Sequence, residues 1–187
     1  MKNRGALIAA IVVGVFLTLF IVLLAASDTQ RGTSVNFEIV GNVAPDISGT
    51  TLGGGTYDLR SERGDWVVVN FFASWCVGCR VEHPELVEFT ERHRDDVTDG
   101  PGVQLVAVMF GDTEEAARDF FLELGGDWPA LVDRDVVGSI AIDYGVTAVP
   151  ETLLIAPSGR VVQKWVGANG VTADELDRVI ALASGEG

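Results

Sequence analysis

The stretch Trp66-Val-Val-Val-Asn-Phe-Phe-Ala-Ser-Trp-Cys-Val-Gly-Cys79 decides the fold. Its first seven residues are almost continuously apolar, as in a strand buried on both faces. Ala73 and Ser74 end the run, and a helix is predicted from about 76 to 94. Pro84 lies inside that helix and should kink it, having no N–H to donate. Cys76 then sits at a helix N-terminus, where unpaired backbone N–H groups and the macrodipole favour an anion. The thiolate is the nucleophile of disulfide exchange, so this is where a lowered thiol pKa serves reactivity. Cys79, one turn further in, is placed to close a disulfide with Cys76. The expectation is an exposed, attacking Cys76 and a shielded, resolving Cys79.

The chain has 187 residues and only two cysteines. Two cysteines scattered in such a chain fall three apart only about once in a hundred, so the Cys-x-x-Cys spacing carries information. Haem attachment would need histidine after the second cysteine, and Arg80 stands there. Structural zinc needs about four ligands. Only His83 and His93 are available to join the cysteines, along one helix, so no metal is expected. A purely structural disulfide is the competing reading in an exported protein. It is disfavoured because so short a loop restricts the unfolded chain little.

Outward from this stretch the chain alternates strands and helices. Before it, residues 49–59 read as a small hairpin with its turn at Gly53-Gly54-Gly55. After it, residues 103–110 form a second central strand. Asp112, with Glu115 three residues on, opens a helix through about Leu124. A short strand over 128–132 and a helix over 136–144 follow. Residues 151–156 and 161–166 make an antiparallel hairpin turning at Pro157-Ser-Gly159. Thr172 and Glu175 form a capping box for a last helix, through about Ala183. This order predicts an α/β domain over 41–187, a mixed central sheet flanked by helices.

The N-terminus is of another kind. Residues 6–26 carry no charge and only Thr18 as a polar side chain, enough for an α-helix to cross a bilayer. Lys2 and Arg4 precede this run, which puts residues 1–5 in the cytoplasm and the domain outside. A cleaved signal peptide ending near Ala26 competes, but the apolar run exceeds the usual h-region. Residues 27–40 read as a tether. Beyond residue 26 the chain keeps 11 of its 13 basic residues and all 27 acidic ones, a net of −16. Such a domain is a poor nucleic-acid binder, since phosphate contacts need clustered Lys and Arg.

Val69 to Cys79, then Glu82 and Pro84, then Gly145-Val-Thr-Ala-Val-Pro-Glu-Thr152 resemble the TlpA/ResA/CcmG (DsbE) branch of the thioredoxin superfamily. The resemblance covers about Val43 to the C-terminus. It implies a thioredoxin-like fold with an added N-terminal hairpin, an insert over about 113–144 and a preceding membrane anchor. It makes Pro150 the family's cis-proline opposite the cysteines, flanked by Val149 and Glu151, with Trp75 on the cysteine side, as the substrate-binding surface. Glu82 matches the glutamate that ResA-like members place beside the cysteines. There it would raise thiol pKa values and shuttle a proton. An ordinary solvated helix acid at 82 and an exposed strand-edge carboxylate at 151 are the plainer readings. Asn70 stands where thioredoxin has a buried aspartate and cannot take a proton. His83 is expected to have a packing or surface role, and His93 lies on the surface.

The function this implies is an extracytoplasmic, single-pass thiol–disulfide oxidoreductase with no cofactor beyond its redox-active disulfide. The resemblance points to reduction of apocytochrome c, or another exported protein, in cytochrome c biogenesis. A membrane electron donor of the CcdA/DsbD type would recharge it. A disulfide-forming oxidase is the main alternative, because the motif does not set the direction of electron flow. A peroxiredoxin-like peroxidase is disfavoured by Ala73, where such enzymes carry threonine, and a non-catalytic binding module is a further alternative.

Overall fold

The computed structural model describes residues 12–18, 20, 39–94, 101–133 and 138–185. The chain divides into two compact units, Met1–Asn36 and Phe37–Gly187. In the first, residues 12–18 and 20 are helical with exposed side chains. Most of the predicted anchor over 6–26 and of the tether lies outside the described residues. Among the described residues no helix is long and apolar enough to cross a membrane.

The second unit is an α/β domain. β1 (Ser48–Thr50) and β2 (Thr56–Asp58) pair as the predicted antiparallel hairpin. A 3-10 turn over Leu59–Glu62 leads to β3 (Trp66–Phe72). Every residue of β3 is buried, so the continuous apolar run is a central strand with both faces covered. α1 (Val77–His93) follows at once, with Cys76 as its N-cap, Arg94 as its C-cap and Pro84 inside it. β4 (Val103–Met109), α2 (Glu114–Leu124), β5 (Ala130–Leu131) and α3 (Ser139–Asp143) make up the middle of the domain. β6 (Glu151–Ile155), β7 (Val161–Val166) and α4 (Ala173–Ser184) complete it.

The sheet order is β5-β4-β3-β6-β7. β4 and β5 run parallel to β3 and its neighbour, while β6 is antiparallel to both β3 and β7. Alternation along the strands then sorts side chains to two faces. Val67, Val69 and Phe71 of β3 join Leu153 and Ile155 of β6 on the face covered by the hairpin and Tyr144. Trp66 and Val68 join Leu154 of β6 and Leu86 and Phe89 of α1 on the other. Phe72 continues that face into a third cluster with both cysteines, Ala117 and Phe120.

Three sequence expectations need correction. The α2 cap is Thr113, not Asp112: Thr113 Oγ1 accepts from the Ala116 N–H at 3.2 Å. The strand over 128–132 contracts to two residues, because Pro129 cannot donate to a ladder. The helix over 136–144 contracts to Ser139–Asp143, its first turn held by Asp133 Oδ2, which accepts from the N–H groups of Ile140 and Ala141. Residues 134–137 lie outside the described set.

Candidate active site

The site forms where β3 ends and α1 begins, opposite the loop before β6. Cys76 and Cys79 form a disulfide with a Cα–Cα distance of 5.2 Å. Cys76 Sγ also accepts from the Cys79 N–H at 3.0 Å, so the sulfur itself caps the helix. Both residues are buried, Cys76 at 5 % and Cys79 at 3 % exposure. This corrects the expectation of an exposed Cys76: with the disulfide closed, its sulfur turns against the Val149 carbonyl, 3.5 Å away. What faces solvent around it is apolar, namely Trp75, Val77 and Val81.

The Val149–Pro150 peptide bond is cis. Gly78 explains how closely this loop approaches the helix. A Cβ there would meet Pro150 Cδ at 3.0 Å and Ala168 Cβ at 3.5 Å. The site thus brings together Trp75, Cys76, Cys79, Val149 and Pro150 from segments some seventy residues apart in sequence.

Glu82 is not a solvated acid. It is 1 % exposed, on α1, three residues after Cys79. Its Oε1 accepts from Asn70 Nδ2 at 2.8 Å and from Thr152 Oγ1 at 2.5 Å, and Asn70 Nδ2 also donates to Thr152 Oγ1 at 2.9 Å. Among the described residues its Oε2 has no hydrogen-bond partner. Burial pushes the carboxyl up to about 7, against a smaller lowering by the Thr152 hydroxyl. A group poised there both takes and gives a proton at neutral pH.

Glu151 lies elsewhere. It points to the sheet face opposite Thr152, 3 % exposed. Its Oε2 is 2.6 Å from Lys164 Nζ, and its Oε1 accepts from the Thr147 N–H at 3.3 Å. The exposed strand-edge reading fails, since the carboxylate is turned away from solvent. Instead it ties the loop before Pro150 to β7. His83 is buried too, its ring packed edge-on or tilted among Phe120, Phe121 and Trp128 and 2.9 Å from the Gly125 carbonyl. Burial lowers its pKa. His93 is half-buried against Asp177, 2.7 Å away, and not simply a surface residue.

Two residues of the site went unassigned in the sequence. Thr152 was visible only as part of a motif, though strand alternation after Pro150 would have sent it to the Glu82 face. Asp112 was read as a helix cap, yet its Oδ2 accepts from the Ser74 N–H at 2.6 Å, across from the cysteine loop. Beside it, Trp75 Nε1 donates to the Gly111 carbonyl at 3.0 Å. No local signal reports these tertiary bonds.

Comparison with known proteins agrees with this geometry. Residues 39–180 match the Redoxin family. A thiol:disulfide interchange protein, DsbE homolog, of Paracoccus denitrificans is 37 % identical over 131 residues, 69 % of this chain and 67 % of that protein. The thiol–disulfide oxidoreductase ResA of Bacillus thuringiensis is 28 % identical over 140 residues, 74 % of this chain and 75 % of that one. The crystal structure of the thioredoxin domain of a Bacteroides vulgatus thiol–disulfide oxidoreductase superposes with a TM-score of 0.65 at 26 % identity, covering 76 % of this chain and 96 % of that one. A cysteine pair closed at a helix start, on a thioredoxin-like sheet, is the machinery these relatives are named for. The chain is a thiol–disulfide oxidoreductase of the DsbE and ResA type and belongs to the Redoxin family.

Proposed function

We propose that the chain is an extracytoplasmic protein-disulfide reductase, held to the membrane by residues 6–26 and facing outward. Reduced Cys76 attacks a substrate disulfide. A Cys76–substrate mixed disulfide forms and the first substrate sulfur leaves as thiolate. Cys79 then attacks Cys76 Sγ, the internal disulfide closes, and the second substrate sulfur leaves. Two electrons pass to the substrate. Trp75, Val77, Val81 and the Val149–Pro150 loop offer an apolar surface for the substrate chain. Kinship with DsbE and ResA proteins favours apocytochrome c, or another exported thiol protein, as substrate. It also favours a membrane donor of the CcdA/DsbD type to re-reduce the pair. No bound cofactor is required, because the disulfide itself carries the electrons.

The observation that carries the reductive direction is the buried Glu82 one turn beyond Cys79. A strong oxidant gains its power from a stabilised thiolate in the reduced form. A carboxyl in a low-dielectric pocket beside the pair works against that thiolate. It favours thiols and hence a low potential. The reduction potential of the full chain tests this: a value near that of thioredoxin, about −270 mV, is expected, and one near that of DsbA, about −120 mV, overturns it. The Cys76→Ala variant should lose all reduction of apocytochrome disulfides. Retained activity would instead speak for a binding module.

A further inference from the structure

We infer that Thr152 is a positioning residue for proton transfer in the resolving step. Its hydroxyl, together with the Asn70 amide, pins Glu82 Oε1 and leaves Oε2 as the atom that takes the proton from Cys79. This rests on the role proposed for Glu82 above and assigns the parts that make it work.

The argument is a count of donors. Asn70 Nδ2 carries two hydrogens, one directed to Glu82 Oε1 and one to Thr152 Oγ1. The Thr152 hydroxyl has one hydrogen, and that is directed to Glu82 Oε1. Two of these three hydrogens are thus spent on one carboxylate oxygen and the third on the Thr152 hydroxyl. Asn70 is 5 % exposed, Glu82 1 % and Thr152 0 %, so water does not compete for the ring they form. Oε2, buried and without a partner among the described residues, is the oxygen on which a proton relieves an otherwise unsatisfied charge.

The surroundings isolate this pair of atoms. From α1, Cys79 lies one turn back on the same stripe, where residues three apart are neighbours, while His83 turns to the Gly125 carbonyl. Glu85 accepts from the Ala173 N–H of α4. From β6, Glu151 points to the opposite face and is paired with Lys164 of β7. β3 presents Asn70 and no charge. Burial raises the Glu82 carboxyl, the Thr152 hydroxyl lowers it, and the Asn70 amide bonds the same oxygen without bringing a charge.

The step balances simply. The Glu82 carboxylate takes the Cys79 thiol proton onto Oε2. The Cys79 thiolate attacks Cys76 Sγ, the Cys76–Cys79 bond forms and the Cys76–substrate bond breaks, and substrate leaves as thiolate. The hydroxyl of Thr152 favours the carboxylate form that begins this step. Removing it leaves Glu82 holding its proton to higher pH.

The experiment is stopped-flow reaction of the reduced full chain with dithiobis(nitrobenzoate) across pH. The first nitrothiobenzoate release reports attack by Cys76 and the second reports resolution by Cys79. In Thr152→Val the acid limb of the second phase should move up by roughly one pH unit, a tenfold slowing on that limb, with no slowing of the first phase. Thr152→Ser should restore the wild-type profile. Should valine not be accepted at this site, Thr152→Ala carries the same expectation. The ¹³C carboxyl titration of Glu82 should move upward in parallel. A second phase that keeps its profile in Thr152→Val or Thr152→Ala, while Glu82→Gln abolishes its pH dependence, overturns the role of Thr152 alone. A second phase untouched by Glu82→Gln overturns the Glu82 reading itself.

Discussion

The Asp112 carboxylate accepts from its own neighbour, the Thr113 N–H at 2.8 Å, and from Ser74 on the cysteine loop. Gly111 adds the carbonyl that takes the Trp75 indole, and its φ of 55° is a conformation glycine adopts without cost. Together they staple the end of β4 to the loop that presents Cys76. A hydrogen bond to a charged acceptor is worth about 1.5–3 kcal/mol, less here because Ser74 is half-buried and water can replace the lost partner. Asp112→Ala should therefore cost about 1 kcal/mol of stability and slow the first nitrothiobenzoate release several-fold. Asp112→Asn keeps an acceptor and should retain most of the rate. If the alanine variant attacks as fast as wild type, the cysteine loop holds its own shape and Asp112 is only structural. The cysteines themselves were legible because spacing and position reinforce each other. Glu82 was legible as a position but not as a buried group, because its burial depends on two partners from distant strands.

The helix starts at Cys76 and Thr172 were readable, since a cap is a local hydrogen bond, whereas the cap of α2 lies one residue beyond the expected Asp112. Cys76, Thr113 and Thr172 each accept from an N–H three residues on. The predicted capping box at Thr172 is only half made. Thr172 Oγ1 accepts from the Glu175 N–H at 3.1 Å, but the Glu175 carboxylate pairs with Arg178 through two 2.7 Å bonds instead of reaching back. Thr172→Ala should therefore cost about 1 kcal/mol, a fall of roughly 2–4 °C in Tm for a domain of this size. Glu175→Ala should cost clearly less, since an exposed ion pair contributes little. Equal losses in the two variants would mean that the reciprocal box forms in solution. The insert was the least readable region. Its strand is two residues long and its last helix five, too short for either period to declare itself. What holds them is long-range: Leu52 N donates to the Ala130 carbonyl, and Val132 N to the Thr50 carbonyl, so the N-terminal hairpin pairs with the insert.

Across the whole domain, sheet order was not legible in the residues, because alternation tells which face a residue covers and not which strand lies beside it. Once the order is in place, α1 carries two adjacent titratable groups into the interior, and they pull stability in opposite directions with pH. Glu82 keeps its proton up to about pH 7 when folded but releases it near 4.5 when unfolded. Between those values the native state binds more protons, so stability falls as pH rises through that window, on the order of 3 kcal/mol in all. His83 is the reverse case. Burial holds it below its ordinary 6.5, the unfolded state binds more protons there, and stability is lost as pH falls below that value. Optimum stability of the oxidised protein should accordingly lie on the acid side of neutrality, with a decline toward pH 8. Urea midpoints of the oxidised full chain in mild detergent, at about pH 5.5 and about pH 8, measure this directly. Glu82→Gln removes the titrating group while leaving an acceptor for Thr152 and Asn70, so its midpoint should no longer fall between the two and should rise slightly with pH as His83 sheds its proton. A wild-type midpoint that does not fall, or one that falls equally in Glu82→Gln, would show that the buried carboxyl of α1 is not the source of the slope.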